Sequence, residues 1–396
     1  MSGLQPTATC ERLRPFGTSI FAEMTALANE HKAINLAQGF PDFDGPHIAK
    51  AAAIDAIQSG HSQYARMFGV PVLNEAVSAA FKNSSGLSFD PDREITVTSG
   101  CTEALAATIL GLLNPGDEII LFEPFYDSYR ACVAMSGATA RYVALTPRTD
   151  GAGFEFDESQ LRASFTSRTR AILINTPHNP TGKVFTRAEL ELIASLCLQY
   201  GVIAITDEVY EHLTYESSLP HIHLAGLEGM RDQTITLSSL GKSFSLTGWK
   251  IGWAIAAPRL TAAVRAAHQF LTFTTATPLQ IGAAAIIANP ADEIARVVQL
   301  YRSNRDLLSS TLRQLGFRIY PSHGTYFLMA DHSSFRKGSD VEFCRFLTSS
   351  IKVATIPPSS FYEHADLGRN LVRFAFCKKR ETIEAAIDRL KLLSHS

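Results

Sequence analysis

A chain of 396 residues, 46% of them hydrophobic, exceeds one ordinary core, so two or three packed units are expected. Its formal charge of −2 argues against a nucleic acid, a membrane surface or a polyanion as partner. The longest apolar runs, such as residues 280–288, are too short to span a bilayer.

Residues 15–32 read as an arm followed by an amphipathic helix, with Ile20, Met24, Leu27 and Ala28 at helical spacing. A short strand then enters a Gly/Pro loop over 34–43. Helices are expected at 46–59 and 71–82, and the loop before the second holds Tyr64 and Arg66. From Glu94 the pattern alternates. Strands at 94–98, 118–122, 140–145, 171–175, 202–206, 234–237 and 251–256 are interleaved with helices at 102–113, 126–136 and 187–200. Residues 150–154 read as a glycine-bearing loop. Strand–helix alternation with continuous apolar strands predicts an α/β fold, a mostly parallel sheet sandwiched by helices. Ligands on such sheets sit beyond the carboxyl ends of the strands. Helices follow at 258–272 and 278–287, and a long one at 292–315 leads into a smaller α+β unit. That unit is read as strands at 326–330, 353–356 and 370–376 with helices at 340–349 and 380–393.

Several polar residues stand at strand ends. Lys242 lies between Ser239-Leu240-Gly241 and Ser243 after an apolar strand, with Lys250 eight positions on. Such an amine can attack a carbonyl when neutral, and a neighbouring cation helps depress its pKa. Asp207 ends the apolar run 202–205, where a carboxylate is costly unless it is paired. Asn179 sits in the proline-stiffened loop Asn175-Thr176-Pro177-His178-Asn179-Pro180-Thr181-Gly182. A strand runs into Gly100, and a helix opens at Cys101-Thr102; free N–H groups there make an anion site suited to phosphate. Arg373 lies inside an apolar strand and needs a carboxylate, which a substrate can supply. A phosphate cradle, a nucleophilic lysine, a buried acid and a carboxylate clamp together are what pyridoxal-phosphate chemistry requires.

The six cysteines lack CxxC or metal-ligand spacing, and the twelve histidines form no HExxH. Reduced thiols in a cytoplasmic protein and no metal site are expected. Residues 1–11 have no apolar core, so no secretory leader is expected.

The chain resembles the fold-type I, class I/II pyridoxal-phosphate aminotransferases from about Pro15 to Leu393. Its nearest branch is that of the kynurenine, glutamine and methionine enzymes. The resemblance rests on Asn35-Leu36-Ala37-Gln38-Gly39-Phe40-Pro41-Asp42-Phe43, Asn179-Pro180-Thr181-Gly182-Lys183, Asp207-Glu208-Val209-Tyr210, Ser239-Leu240-Gly241-Lys242-Ser243-Phe244 with Gly248-Trp249-Lys250, and Val372-Arg373-Phe374, all in family order. Asp44-Gly45-Pro46 and Leu271-Thr272-Phe273 look more like the bacterial methionine aminotransferases.

The resemblance implies a seven-stranded-type large sheet. It divides the chain into an arm and part of the small domain (1–45), a large cofactor domain (46–290) and a small C-terminal domain (291–396). Lys242 would be the Schiff-base lysine and proton shuttle. Asp207 would keep the pyridine nitrogen protonated, and Tyr210 and Asn179 would hydrogen-bond the ring oxygen. Tyr126 would stack on the ring. Gly100, Cys101, Thr102, Ser239 and Lys250 would cradle the phosphate, joined by Tyr64 from the other subunit of a homodimer. Arg373 would clamp the α-carboxylate, with help from Gly39 and Asn179.

Ile20 occupies about the place of a tryptophan in the kynurenine enzymes, and no second arginine is evident for a distal carboxylate. An apolar pocket of Ile20, Phe40, Phe273 and Phe361 is therefore expected to favour methionine, phenylalanine, tyrosine or similar donors, with kynurenine and glutamine also in view. Breadth is expected too, since a methylene is worth only about 1–3 kcal/mol of discrimination. A β-lyase acting on cysteine conjugates is the alternative on the same scaffold. A regulator carrying a helix-turn-helix would need room before Pro15 that this sequence does not offer.

Overall fold

The computed structural model describes residues 9–335 and 338–395. Residues 1–8, part of the stretch read as free of an apolar core, lie outside them. Helix α1 (Ile20–Glu30) starts where the Ser19 side chain accepts from the Ala22 N–H. Strand β1 (Ile34–Asn35) and helices α2 (His47–Gln58) and α3 (Pro71–Ser85) follow. Pro71 opens α3, where its missing N–H would have had no helical partner.

The large sheet is then laid down in alternation. Strand β2 (Ile95–Ser99) precedes α4 (Gly100–Leu112), β3 (Glu118–Glu123) and α5 (Asp127–Ser136). The chain continues through β4 (Thr139–Pro147), β5 (Phe154–Phe156), α6 (Glu158–Ala163), β6 (Thr169–Asn175) and α7 (Arg187–Tyr200). Strands β7 (Ile203–Asp207) and β8 (Thr234–Ser239), the short helix α8 (Leu240–Ser243) and strand β9 (Ile251–Ala256) complete it, before α9 (Pro258–Leu271) and α10 (Thr277–Ile287). The strand order is β2-β9-β8-β7-β6-β3-β4-β5. Strands β8, β7, β6, β3 and β4 pair in parallel, and β9 runs against both its neighbours. The link from β8 to β9 is too short for the crossover a parallel return needs, so β9 comes back antiparallel.

Side chains alternate between two cores. Ile119, Leu121, Leu173, Ile205 and Leu237 belong to one, and Ile120, Phe122, Ile172, Ile174 and Ala204 to the other. Burial on both faces explains why these strands read as unbroken apolar runs.

The sheet has eight strands rather than the seven of the expectation. The extra one, β5, begins where the loop expected at 150–154 ends. Phe154 and Phe156 return along β4, pairing with Pro147 and Leu145. Asp157 then caps α6, its carboxylate accepting from the Ser159 N–H at 2.7 Å.

The C-terminal unit follows the long helix α11 (Ala291–Gln314). Strands β10 (Arg318–Ile319), β11 (Phe327–Asp331) and, after helix α12 (Asp340–Phe346) and strand β12 (Val353–Ala354), β13 (Leu371–Ala375) build it, and α13 (Arg380–Leu390) covers it. β10, β11 and β13 form an antiparallel sheet, while β12 pairs in parallel with β1. Met24, Leu36, Tyr301, Phe343 and Phe374 share one core, so the N-terminal segment packs into the C-terminal unit. The helix expected at 340–349 instead passes into a wider π turn, Leu347–Ile351.

Candidate active site

Register brings the polar strand ends to one edge. Asn175 is paired with Asp207 across β6 and β7, and Ser239 with Gly252 across β8 and β9. Beyond that edge lies a cavity of about 190 Å³. Asp207, Tyr210, Lys242 and Asn179 line it, as do Tyr126, Ser239, Gly100, Cys101, Thr102 and Lys250.

Lys242 is half-buried there, its Nζ 5.8 Å from the Tyr210 ring centre and 5.7 Å from that of Tyr326. Burial lowers its pKa, and Lys250 adds to the effect against the opposing pull of Cys377, Asp207 and Cys101. The amine is thus biased toward the neutral, nucleophilic form.

Asp207 is buried and accepts from the Tyr129 hydroxyl at 2.6 Å and the Val209 N–H at 3.3 Å. Desolvation raises its pKa despite these bonds and the field of Lys242. A carboxylate placed so is stabilised by a cationic partner in the cavity.

At the other end of the cavity, Gly100 has φ +76°, a left-handed conformation that favours glycine. A Cβ there would lie 3.2 Å from the Lys250 Nζ. Lys250 is itself left-handed at φ 54°, a strained conformation for a side chain of its kind. At Gly252 a Cβ would come within 2.5 Å of the Cys101 backbone nitrogen, so β9 lets the start of α4 approach closely. The result is a helix N-terminus with a lysine beside it, the combination that binds a phosphate dianion.

Arg373 does not line this cavity but reaches it through Asn179. Its Nη1 donates to Asn179 Oδ1 at 3.2 Å and its Nη2 to the Ala37 carbonyl at 2.8 Å. Its Nε is buried with no partner among the described residues. The guanidinium lies over the rings of Phe327, Phe361 and Phe21 at 4.1, 5.2 and 5.3 Å. Burial lowers its pKa to about 10, which leaves it cationic at neutral pH. It is a desolvated cation with donor capacity to spare, which suits a substrate carboxylate.

The expected apolar pocket does not form within one chain. Phe273 stands at the surface, edge-on to Tyr64 at 5.7 Å, and neither ring lines the Lys242 cavity. Phe40 is also exposed, its ring beneath the Lys378 ammonium. Gly39 sits by the site only through its carbonyl, which accepts from the Tyr326 hydroxyl at 2.5 Å. Ile20 lines a second cavity, of about 440 Å³, with Phe16, Phe125, Asp127, Arg130 and Ser360. Phe361 packs on Phe21 beside Arg373. The physical reason is that the four lie on separate segments, with Phe40 and Phe273 at the surface, Ile20 at the start of α1 and Phe361 in the core, and sequence periodicity does not govern whether such segments meet.

Tyr129 and Asn175 were missed. Tyr129 is three residues past Tyr126, whose ring it meets edge-on at 5.7 Å, and that spacing could have found it. Asn175 Nδ2 donates to the Asp207 carbonyl at 2.8 Å and its Oδ1 accepts from the Asn179 N–H at 2.7 Å. Its place at a strand end beside Asp207 was the available signal.

The family model for aminotransferases of class I and II matches residues 31–390. This chain belongs to that family. Its relatives include a probable N-succinyldiaminopimelate aminotransferase of Mycobacterium tuberculosis, 45% identical over 394 residues and covering 98% of both chains. They also include the methionine aminotransferase of Escherichia coli, 38% identical over 388 residues, covering 98% of this aminotransferase and 99% of the relative. The solved N-succinyldiaminopimelate aminotransferase from M. tuberculosis superposes with a TM-score of 0.95 at 46% identity, over 98% of this chain and all of that one. Class I and II aminotransferases depend on pyridoxal phosphate and act on amino acids and 2-oxo acids, and so does this one. The cavity fits the cofactor. It has a phosphate-binding end at Gly100 and Lys250, a buried acid for a protonated ring nitrogen, and a neutral-biased amine between them. No helix among the described residues is long and apolar enough to cross a membrane.

Proposed function

We propose that this aminotransferase acts on long amino acids and 2-oxo acids whose side chain carries an acyl amide and a distal carboxylate, such as an N-succinyl diamino acid. When bound, pyridoxal phosphate supplies a carbonyl that bonds amines and a ring that takes up negative charge from the substrate Cα. Lys242 holds the cofactor and then removes and returns the proton at Cα. Asp207, oriented by Tyr129, would keep a proton on the ring nitrogen. Tyr210 and Asn179 would donate to the ring oxygen, Tyr126 would cover the ring face, and Arg373 would orient the α-carboxylate.

The observation that carries the substrate reading is the second cavity. Tyr126 lines the Lys242 cavity, and its chain neighbours Phe125 and Asp127 line the 440 Å³ one. Asp127 also lies in the field of Arg373. A substrate held by its α-carboxylate at Arg373 can therefore extend past Tyr126 toward Arg130, whose guanidinium is 3.1 Å from Glu363 and lines that space. The relatives named for N-succinyldiaminopimelate support this reading. A second reading, methionine-like or aromatic donors, is favoured by the rings of Phe21, Phe327 and Phe361 around Arg373.

Initial rates with N-succinyl-diaminopimelate, methionine, phenylalanine and tyrosine against 2-oxoglutarate separate the two. The expected result is the highest kcat/KM for the succinylated substrate, and a loss of roughly tenfold or more in Arg130→Ala for that substrate alone. Preference for methionine, unchanged in Arg130→Ala, would support the second reading. Ammonia and pyruvate from a cysteine conjugate, without a new amino acid, would mark a β-lyase.

The reading includes a homodimer. Tyr64 and Phe270 are each 85% exposed, and Phe273 stands beside Tyr64. Such rings suit burial against a second copy, where Tyr64 would reach that copy's phosphate site. Light scattering at micromolar concentration would report twice the chain mass.

A further inference from the structure

One buried cluster has no part in the chemistry above. Glu208 follows Asp207, yet its fully buried carboxylate turns to two imidazoles. Its Oε2 lies 3.0 Å from His221 Nε2 and 2.5 Å from His223 Nδ1. One ligand-type atom from each residue lies within 4.8 Å of the other two. The side chains of His221 and His223 are each 6% exposed.

An ion-paired cluster would explain the two short contacts but not the atoms left over. Glu208 Oε1 and His221 Nδ1 are both buried without a hydrogen-bond partner among the described residues. Buried polar atoms are nearly always satisfied, so the unpartnered second oxygen of a carboxylate that already faces two imidazoles calls for a ligand. A zinc-like ion takes imidazole nitrogen and carboxylate oxygen at about 2.0–2.2 Å in tetrahedral geometry, which sets ligand atoms roughly 3.3 Å apart. To accept it, the 3.0 Å contact must open by about 0.3 Å and the 2.5 Å contact by about 0.8 Å. The outer contact of His223 also agrees. His223 Nε2 lies 2.9 Å from the Ser84 hydroxyl, an acceptor for the N–H that a neutral, Nδ1-bound imidazole carries there.

We infer that Glu208, His221 and His223 form a site for a divalent transition-metal ion, zinc(II) by its ligand chemistry. The ion ties the segment bearing the histidines to the strand end that carries Asp207, with Ser84 of α3 behind. Glu208 Oε1 or a water completes its coordination. The sequence reading expected no metal because it sought a helical HExxH. The pattern here is His-Ile-His in a loop, facing a glutamate from a strand end.

The test uses the holoenzyme, stripped by dialysis against a chelator and titrated with Co²⁺, followed by Zn²⁺ competition. The expected result is about one Co²⁺ per chain with the visible bands of a tetrahedral site, displaced by Zn²⁺. Zn²⁺ should also raise the Tm in proportion to its logarithmic concentration. Glu208→Gln and His221→Ala should each weaken binding by tenfold or more, and abolish the Tm response, while the cofactor absorbance is retained. His223→Ala should do the same if it folds; the other two variants decide the matter if it does not. Failure of the wild type to bind Co²⁺ or Zn²⁺, or bands unchanged in both variants, would overturn the site.

Discussion

Tyr129 donates its hydroxyl to Asp207 at 2.6 Å, holding the deepest acid of the site in one orientation. Hydrogen bonds to charged groups contribute about 1.5–3 kcal/mol. Tyr129→Phe is therefore expected to lower kcat by roughly tenfold or more with little change in KM. Asp207→Asn, which cannot hold the ring-nitrogen proton, should lower kcat by a further factor of about 10² or more. Steady-state kinetics on cofactor-saturated variants checks the order. Equal losses in kcat and KM for either variant would assign it to binding instead.

Arg373 is buried among three rings with an unpartnered Nε, so its replacement tests the carboxylate clamp. Arg373→Lys keeps the charge but loses the planar fork. A fall in kcat/KM of roughly 30-fold or more, expressed through KM, is expected from a loss of about 2–5 kcal/mol. Thermal unfolding of the same variant separates loss of the clamp from loss of the fold. An unchanged KM would remove Arg373 from the substrate.

Gly100 and Lys250 face each other at the start of α4. Lys250→Ala should weaken cofactor retention and leave the ranking of amino-acid substrates unchanged. Gly100→Ala, strained at φ +76° and crowding the lysine, should act in the same direction. Equilibrium dialysis of the cofactor is the measurement. A changed substrate ranking with normal retention would exclude Lys250 from the phosphate end.

His268 links α9 to the same helix start. Its Nδ1 lies 2.6 Å from Glu103 Oε1, and Glu103 Oε2 accepts from the Ser99 N–H at 2.6 Å. Burial acts to lower the His268 pKa, but the hydrogen bond and charge of Glu103 and the Met67 carbonyl outweigh it, and the net shift is upward from 6.5. The folded chain thus binds this proton more tightly than the unfolded one. The stabilisation is complete below about 6.5 and is lost as pH rises through the higher folded value. Urea unfolding of wild type and His268→Gln should show a stability difference that shrinks as pH rises above about 6.5. A difference independent of pH would place the proton elsewhere.

The sheet and its ligand edge were legible in the sequence because strands buried on both faces read as apolar runs. The same reading pointed to Lys242, Asp207 and Asn179, each a polar residue at the end of such a run. Strand β5 was hidden because three residues with a glycine loop before them give too short a period. The arrangement of Phe40, Phe273 and Phe361 was out of reach for another reason. Their segments are far apart in the sequence, and no periodicity reports where such rings settle. The histidine pair at 221 and 223 carried a signal in its spacing, but its partner Glu208 is joined to it only by the fold.

The central claim is that the amine of Lys242 holds the cofactor. Reduction of the yellow holoenzyme with borohydride, followed by proteolysis and mass spectrometry, tests it most directly. A pyridoxyl adduct on the peptide containing Lys242, absent in Lys242→Ala, is the predicted result. An adduct on Lys250 or any other lysine would contradict it.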